Sequence, residues 1–225
     1  MIDRGIVIEY EGLDSAGKNT QIKLTESALI GMGYKVVTYS FPNYNSTIGN
    51  VISDYLTGEY GSIESINPKL ISTAYAADRA RFAEDIATYV DNDYIVLIDR
   101  YTYSNVFSAA KMPESEWDNF INWVEDLEFK CLNVYKPDYV FYLHVDPEIS
   151  IQRIKERGKR EYQNGKNDIH ESNNELLISA ARAYQYFASK KNNWITINEM
   201  NDNGGQKTVD EVFSTIFGNI IDVLK

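Results

Sequence analysis

Gly12-Leu13-Asp14-Ser15-Ala16-Gly17-Lys18-Asn19 is the stretch from which the fold of this chain is read. An apolar run, Ile6-Val7-Ile8, precedes it, and a helix-like segment opens at Lys18. Strand, glycine-bounded loop and helix in that order make a cradle for a polyphosphate. Backbone N–H groups and the helix N-terminus point inward, and the lysine neutralises phosphate oxygens. Gly12, Ser15, Ala16, Gly17, Lys18, Asn19 and Thr20 are therefore the candidate phosphate-binding residues. In the usual pattern the residue after the lysine is Ser or Thr, whose hydroxyl meets Mg²⁺. Asn19 stands there instead. The stretch predicts nucleotide binding and leaves open whether the nucleotide is turned over.

Outward from the loop, apolar strand-like runs alternate with amphipathic helix-like runs. Strands are expected at 5–11, 35–41, 94–99, 139–145 and 194–198. Helices are expected at 18–32, 48–56, 68–90, 115–127, 147–157, 173–189 and 209–224. Pro147 opens its helix where a missing N–H costs nothing, and Gly33 is placed to stop the first one. Strands separated by helices imply parallel pairing, hence a three-layer α/β domain with five parallel strands, spanning residues 1–225 as one unit. Ligands in such sheets lie at the carboxyl ends of the strands. Asp99-Arg100-Tyr101 closes the third strand at that edge. Asp99 reads either as a Mg²⁺-linked carboxylate or as a cap on a helix beginning near Tyr103. Segment 158–171 is polar, glycine-punctuated and basic at its start, and is expected to be a lid.

Composition narrows the class. The chain carries 44% hydrophobic and 24% charged residues, ordinary for a globular protein. No apolar run reaches the ~20 residues of a membrane span, and residues 1–5 have no signal-peptide layout, so a cytoplasmic location is expected. One cysteine, Cys131, and two histidines make a zinc site an unpromising reading. A net charge of −11 argues against a nucleic-acid polymer as partner. Anion binding must then rest on local clusters of Arg and Lys, aided by Mg²⁺.

Glu11-Gly12-Leu13-Asp14-Ser15-Ala16-Gly17-Lys18-Asn19-Thr20-Gln21 resembles the thymidylate kinase form of the phosphate loop. Further stretches resemble that family in order. They are Phe41-Pro42 with Ile48-Gly49, Ala77-Asp78-Arg79, Asp99-Arg100-Tyr101 with Ser104, Lys136-Pro137-Asp138-Tyr139-Val140, and Arg153 and Arg157 leading into the lid segment 153–171. The resemblance implies a nucleoside monophosphate kinase fold, ATP as donor, dTMP as acceptor, Mg²⁺ and a homodimer, with helical faces such as 68–90 at the interface. It implies that Asp14 meets the sugar 3′-hydroxyl, that Tyr75 stacks on the base and that Arg79 bonds its carbonyl edge. A plain core aromatic is the rival reading for Tyr75, and a solvated helical arginine the rival for Arg79.

Ser15 after Asp14 resembles the family type that brings its catalytic arginine from the lid. Arg157 and Arg160 are the favoured candidates, with Arg153 beside the donor; Lys18, Asp99 and Arg100 complete the expected catalytic set. Phe41, Tyr44, Ser104 and Phe107 join the acceptor side; Tyr44 stands where many relatives have an arginine on the acceptor phosphate. Metal contact is assigned to Asn19 and Asp99, directly or through water. The loop after Ile197, with Asn201 to Gly205, is the expected adenine region. Three alternatives stay open: a broader pyrimidine deoxynucleotide kinase, a deoxynucleoside kinase using Asp14 or Glu11 as base, and an inactive nucleotide-binding module.

Overall fold

A computed structural model describes residues 4–163, 165–201 and 203–224. Met1, Ile2, Asp3, Asn164, Asp202 and Lys225 lie outside the described residues, including parts of the N-terminal run, the lid segment and the loop after Ile197. Five strands, β1 (Ile6–Glu11), β2 (Lys35–Ser40), β3 (Tyr94–Asp99), β4 (Tyr139–His144) and β5 (Trp194–Asn198), form one all-parallel sheet in the order β2-β3-β1-β4-β5. The helices are α1 (Lys18–Gly31), α2 (Thr47–Leu56), α3 (Pro68–Ala80), α4 (Ala83–Asp91), α5 (Val106–Ala109), α6 (Trp117–Glu125), α7 (Pro147–Arg157), α8 (Asn174–Lys190) and α9 (Val209–Val223).

β1 is central and buried throughout. Its period-2 alternation splits the core. Ile6, Ile8 and Tyr10 join Ile95 and Leu97 of β3 in one cluster, and Val7 joins Val96 and Ile98 in the other. A third cluster, Ile52, Tyr55, Leu56 and Ile71, ties α2 to α3 beyond the sheet edge. Tyr162 and Ile169 of the 158–171 segment pack against it.

The single helix expected over 68–90 is two. Phe82, at φ −110° and ψ 4°, ends the first, although nothing in the sequence forbids a helix there. Its ring packs edge-on against Tyr39 at 5.7 Å and Phe41 at 5.5 Å, and that docking overrides helical propensity. Glu84 and Asp85 then suit the first turn of α4. The helix expected over 115–127 is α6 flanked by a 3₁₀ turn at Glu114–Glu116 and a π-helical turn at Asp126–Cys131.

Candidate active site

The carboxyl ends of β1 and β3 open into one cavity of about 470 Å³. Asp14, Ser15, Ala16, Gly17, Lys18, Asn19 and Thr20 line one end of it. Phe41, Tyr44, Tyr75, Arg79, Asp99, Arg100, Ser104, Phe107, Arg157 and Arg160 line the rest. Two expected residues stand off the cavity. Gly12 lies behind the loop at φ 142°, where a Cβ would come within 2.5 Å of the Leu143 carbonyl oxygen. Arg153 braces the loop from outside. Its Nη1 donates to the Ser15 carbonyl at 3.1 Å and to Glu199 at 2.8 Å, and its Nη2 donates to Gln206.

The loop is held tightly. Ser15 takes φ 59°, a left-handed conformation that costs a non-glycine residue energy. Ser150 of α7 donates to the Asp14 carbonyl at 2.6 Å. Lys18 Nζ folds back onto the carbonyls of Gly12 and Leu13, at 3.2 and 2.9 Å. Burial, then the Arg100 charge, pulls its pKa down to about 8 against the opposing pull of Asp99, Asp14 and Glu11.

Asp14 is the hub. Its Oδ1 accepts from Arg100 Nη2 at 2.9 Å and Arg160 Nη2 at 3.2 Å. Burial alone would raise its pKa. Arg100, Arg160, Lys18 and Arg157 outweigh it and hold the carboxyl below the usual carboxylate range. Arg100 takes φ 63° at the end of β3, which aims its side chain back over the loop. Arg157 donates to Ser15 Oγ at 3.1 Å and to Glu171 at 2.7 Å. Arg157 and Arg160 therefore both reach the phosphate loop, Arg160 from within the 158–171 segment.

Tyr44 stacks on Tyr162 of that segment, with centroids 4.2 Å apart and planes 10° apart. Gly49 lets α2 seat under Tyr44: a Cβ there would meet the Asn43 carbonyl oxygen at 1.9 Å. Tyr75 packs in the third cluster and also lines the cavity, so the two readings for it are compatible. Arg79 is not a solvated helical arginine. It is 2% exposed, and Nε and Nη2 donate to Glu128 at 2.8 and 2.6 Å. Phe107 lies nearly parallel to His170 at 5.8 Å, with the Arg100 guanidinium over its ring.

The Glu11 carboxylate is buried and off the cavity wall. It accepts from Tyr101 N at 3.0 Å, Ser104 Oγ at 2.6 Å and Tyr184 Oη at 2.5 Å. Neither it nor the arginine-bound Asp14 is a competent general base. Asp99 and Asn19 face the same cavity as Lys18, at the end of β3 and in the first turn of α1. Among the described residues no group of three or more His, Cys, Asp or Glu is placed to hold a metal ion. A cation that arrives with phosphate and water ligands fits this pair of oxygens better than a resident one.

Sequence reasoning missed Asn105, Ser108, Tyr162, Asp168 and His170, all on the cavity wall. Asp168 organises the lid. Its Oδ1 accepts from the backbone N–H of His170 and Glu171, and its Oδ2 from Tyr162 Oη. The Asp-x-His-Glu spacing is an Asx turn, and that was the available signal. The 201–205 loop is a tight turn in which Asn201 N donates to the Gly205 carbonyl, and its described residues are not on the cavity wall.

A family model for thymidylate kinase matches residues 10–211. The thymidylate kinase of Mycobacterium tuberculosis (strain ATCC 25618 / H37Rv) is 30% identical over 187 residues, covering 82% of this chain and 86% of that protein. That of Thermosipho melanesiensis is 28% identical over 218 residues, covering 96% and 98%. The solved structure of thymidylate kinase from Candida albicans superposes with a TM-score of 0.74 at 21% identity, over 97% of this chain and 92% of that one. The shared architecture is the phosphate-loop nucleoside monophosphate kinase fold.

Proposed function

Because the chain belongs to the thymidylate kinase family, we propose that it transfers the γ-phosphate of ATP to dTMP within this cavity, giving ADP and dTDP. The bond from the γ-phosphorus to the β,γ-bridging oxygen breaks, and a bond to an acceptor phosphate oxygen forms. The observation that carries the reading is the convergence of Lys18, Arg100, Arg157 and Arg160 on Asp14 at the loop. Phosphoryl transfer spreads negative charge over equatorial oxygens, and fixed cations stabilise it. The acceptor phosphate is already anionic and needs no base. A deoxynucleoside acceptor would need one; Glu11 is buried off the cavity wall and the arginines make Asp14 a weak base, so the nucleotide acceptor is favoured.

In this reading Gly12, Ser15, Ala16, Gly17, Lys18, Asn19 and Thr20 hold the donor phosphates, with Arg153 fixing the loop from behind. Arg157 and Arg160 cover the transferring group and exclude water. Asp14, Phe41, Tyr44, Tyr75, Arg79, Arg100, Ser104 and Phe107 form the acceptor side. Asn19 and Asp99 would hold Mg²⁺, directly or through water, and the ion would supply positive charge against the donor phosphates. A homodimer and a cytoplasmic location belong to the same proposal. Leu70 of α3, 72% exposed, is a residue such an interface would cover, and no helix among the described residues is long and apolar enough to cross a membrane.

A phosphoryl-transfer assay with ATP, Mg²⁺ and each nucleoside monophosphate, with thymidine alongside, tests the reading. dTMP is expected to be the preferred acceptor. Turnover of thymidine but not dTMP would refute it. Asn19 in the hydroxyl position favours one other reading, an inactive nucleotide-binding module, and ATP binding without any transfer would establish that instead.

A further inference from the structure

β1 carries two carboxyl groups, Glu9 and Glu11, and both are fully buried. Residues two apart on a strand leave the same face, with Cα atoms about 7 Å apart, so two glutamate side chains can meet there. The hydrogen bonds leave a gap on each. Glu9 Oε1 accepts from Tyr103 N at 2.7 Å, while Oε2 is buried with no partner among the described residues. Glu11 Oε1 accepts from Tyr101 N and Ser104 Oγ, and Oε2 accepts only from Tyr184 Oη. A carboxylate offers about four lone-pair sites, so one on Glu11 Oε2 stays unfilled. Two ionised carboxylates would leave both gaps open and set like charges together away from water. One proton on Glu9 Oε2, donated to Glu11, closes both.

The neighbouring elements bring no free cation to Glu9. Arg79 of α3 is bound to Glu128, and Arg100 to Asp14. Lys191, after α8, pairs with Glu125, which also accepts from Tyr103 Oη. Tyr184 of α8 is a neutral donor to Glu11. Burial first, then the charge and hydrogen bond of Glu11, push the Glu9 carboxyl well above the ordinary glutamate range, against Tyr103 N–H and Arg79. Neither glutamate lines the cavity, so a cation arriving with the phosphates does not meet Glu9.

What the pair grips is the chain that follows Arg100. Arg100 N donates to the Tyr10 carbonyl at 3.1 Å, Tyr101 N and Ser104 Oγ to Glu11, and Tyr103 N to Glu9. Three successive residues of β1 thus hold the 3₁₀ turn Thr102–Asn105 and its lead-in. That turn follows directly on the φ of 63° at Arg100, whose guanidinium reaches Asp14. We propose that Glu9 is a positioning residue: it keeps a proton, donates it to Glu11, and through this acid–carboxylate pair clamps the turn that aims Arg100. The shared proton follows from the hydrogen-bond inventory, whereas its effect on turnover rests on the phosphoryl-transfer reading.

Glu9→Gln and Glu9→Met test it. Glutamine keeps an acceptor for Tyr103 N and a donor for Glu11; methionine keeps the bulk and neither of these. Protein labelled with carbon-13 at its glutamate carboxyls is expected to show, at about pH 7–8, an un-ionised carboxyl resonance that Glu9→Gln removes. Loss of an ionised resonance instead would overturn the proposal. Folded Glu9 holds a proton that the unfolded chain releases above about pH 4.3, so the stability it contributes is full below that pH and is lost as pH rises. Relative to Glu9→Gln, the wild-type folding equilibrium constant should fall about tenfold per pH unit above about pH 5 in urea unfolding; parallel profiles overturn the shared proton. In phosphoryl transfer to dTMP, Glu9→Gln should keep kcat within about twofold, and Glu9→Met should lose roughly tenfold or more. Equal losses in the two variants, or none in Glu9→Met, overturn the positioning role. Failure of wild type on every nucleoside monophosphate overturns the function reading and the positioning role together, while the resonance and the pH profile still decide the shared proton.

Discussion

Replacing Tyr162 by Ala asks whether the 158–171 segment closes over the acceptor by gripping Tyr44. The wild-type rings stack at 4.2 Å, and the Tyr162 hydroxyl donates to Asp168 Oδ2 at 2.5 Å. Its backbone carbonyl accepts from Ser53 Oγ at 3.0 Å, a contact that alanine keeps. An aromatic pair contributes about 0.5–1.5 kcal/mol beyond its buried area. A hydrogen bond to a carboxylate contributes about 1.5–3 kcal/mol. The stack crosses from the segment to Tyr44, whereas the Asp168 bond lies within the segment and shapes it for that contact, so together they favour closure by roughly 2 kcal/mol. That corresponds to about a 30-fold smaller closed population. Only closed complexes transfer phosphate, so kcat/KM for dTMP should fall about 30-fold. Unfolding temperature should change little, since the ring lies at the rim of the third cluster rather than in the main core.

A double-mutant cycle isolates the stack. Tyr162→Phe keeps the ring and loses the hydroxyl, and should cost about tenfold in kcat/KM. Tyr44→Ala and Tyr162→Ala, alone and combined, should show a coupling of about 0.5–1.5 kcal/mol in steady-state assays with dTMP. If the two single effects add within about 0.3 kcal/mol, the rings do not act as a clasp.

Three further outcomes are expected. Burial, then the Lys111 charge, pulls the His170 pKa down to about 3. The unfolded chain gains that proton below about pH 6.5, whereas the folded one does not until about pH 3, so this stability is lost as pH falls through that window. Relative to His170→Gln, wild type should lose about 2 kcal/mol between pH 7 and 5 in urea unfolding, and parallel pH profiles would contradict the assignment. Lys18, held at about 8, must be protonated to meet phosphate. ATP affinity should therefore weaken by up to about tenfold per unit above pH 8, with proton uptake visible by calorimetry in buffers of different ionisation heat; no uptake at about pH 8.5 would count against it. Asn19→Ala should raise the Mg²⁺ concentration for half-maximal rate several-fold while Asn19→Ser does not, and coincident activation curves would remove Asn19 from the metal site.

Legibility in the sequence followed the range of the interactions. The phosphate loop was readable because strand, turn and helix fall within a dozen residues and each step has a local cause. β3 and β5, and the helix opening at Pro147, fell where apolar periodicity and a helix-opening proline placed them. The break at Phe82 was not readable, because its cause is a pair of aromatic rings, Tyr39 on β2 and Phe41 just beyond it, some forty positions away. Arg79 carried no mark of burial, because the carboxylate that neutralises it lies 49 positions away on a turn that helical periodicity does not anticipate. Tyr162 looked like one polar-loop residue among many until the fold set it against Tyr44.

The charge pattern ties these pieces together. A chain of net charge −11 gathers four cations around one loop, and their mutual repulsion needs an internal counterion. Asp14 supplies it for Arg100 and Arg160, and Glu171 does so for Arg157. Each of these carboxylates sits where an arriving phosphate would compete for the same guanidinium groups. The arginines are thus drawn to the loop by carboxylates of the chain itself, and Lys18 is turned onto backbone carbonyls. Phosphate binding then becomes an exchange of anions rather than an assembly of cations. On the proposed function, cations held in place by the fold are the preorganised charge that phosphoryl transfer calls for.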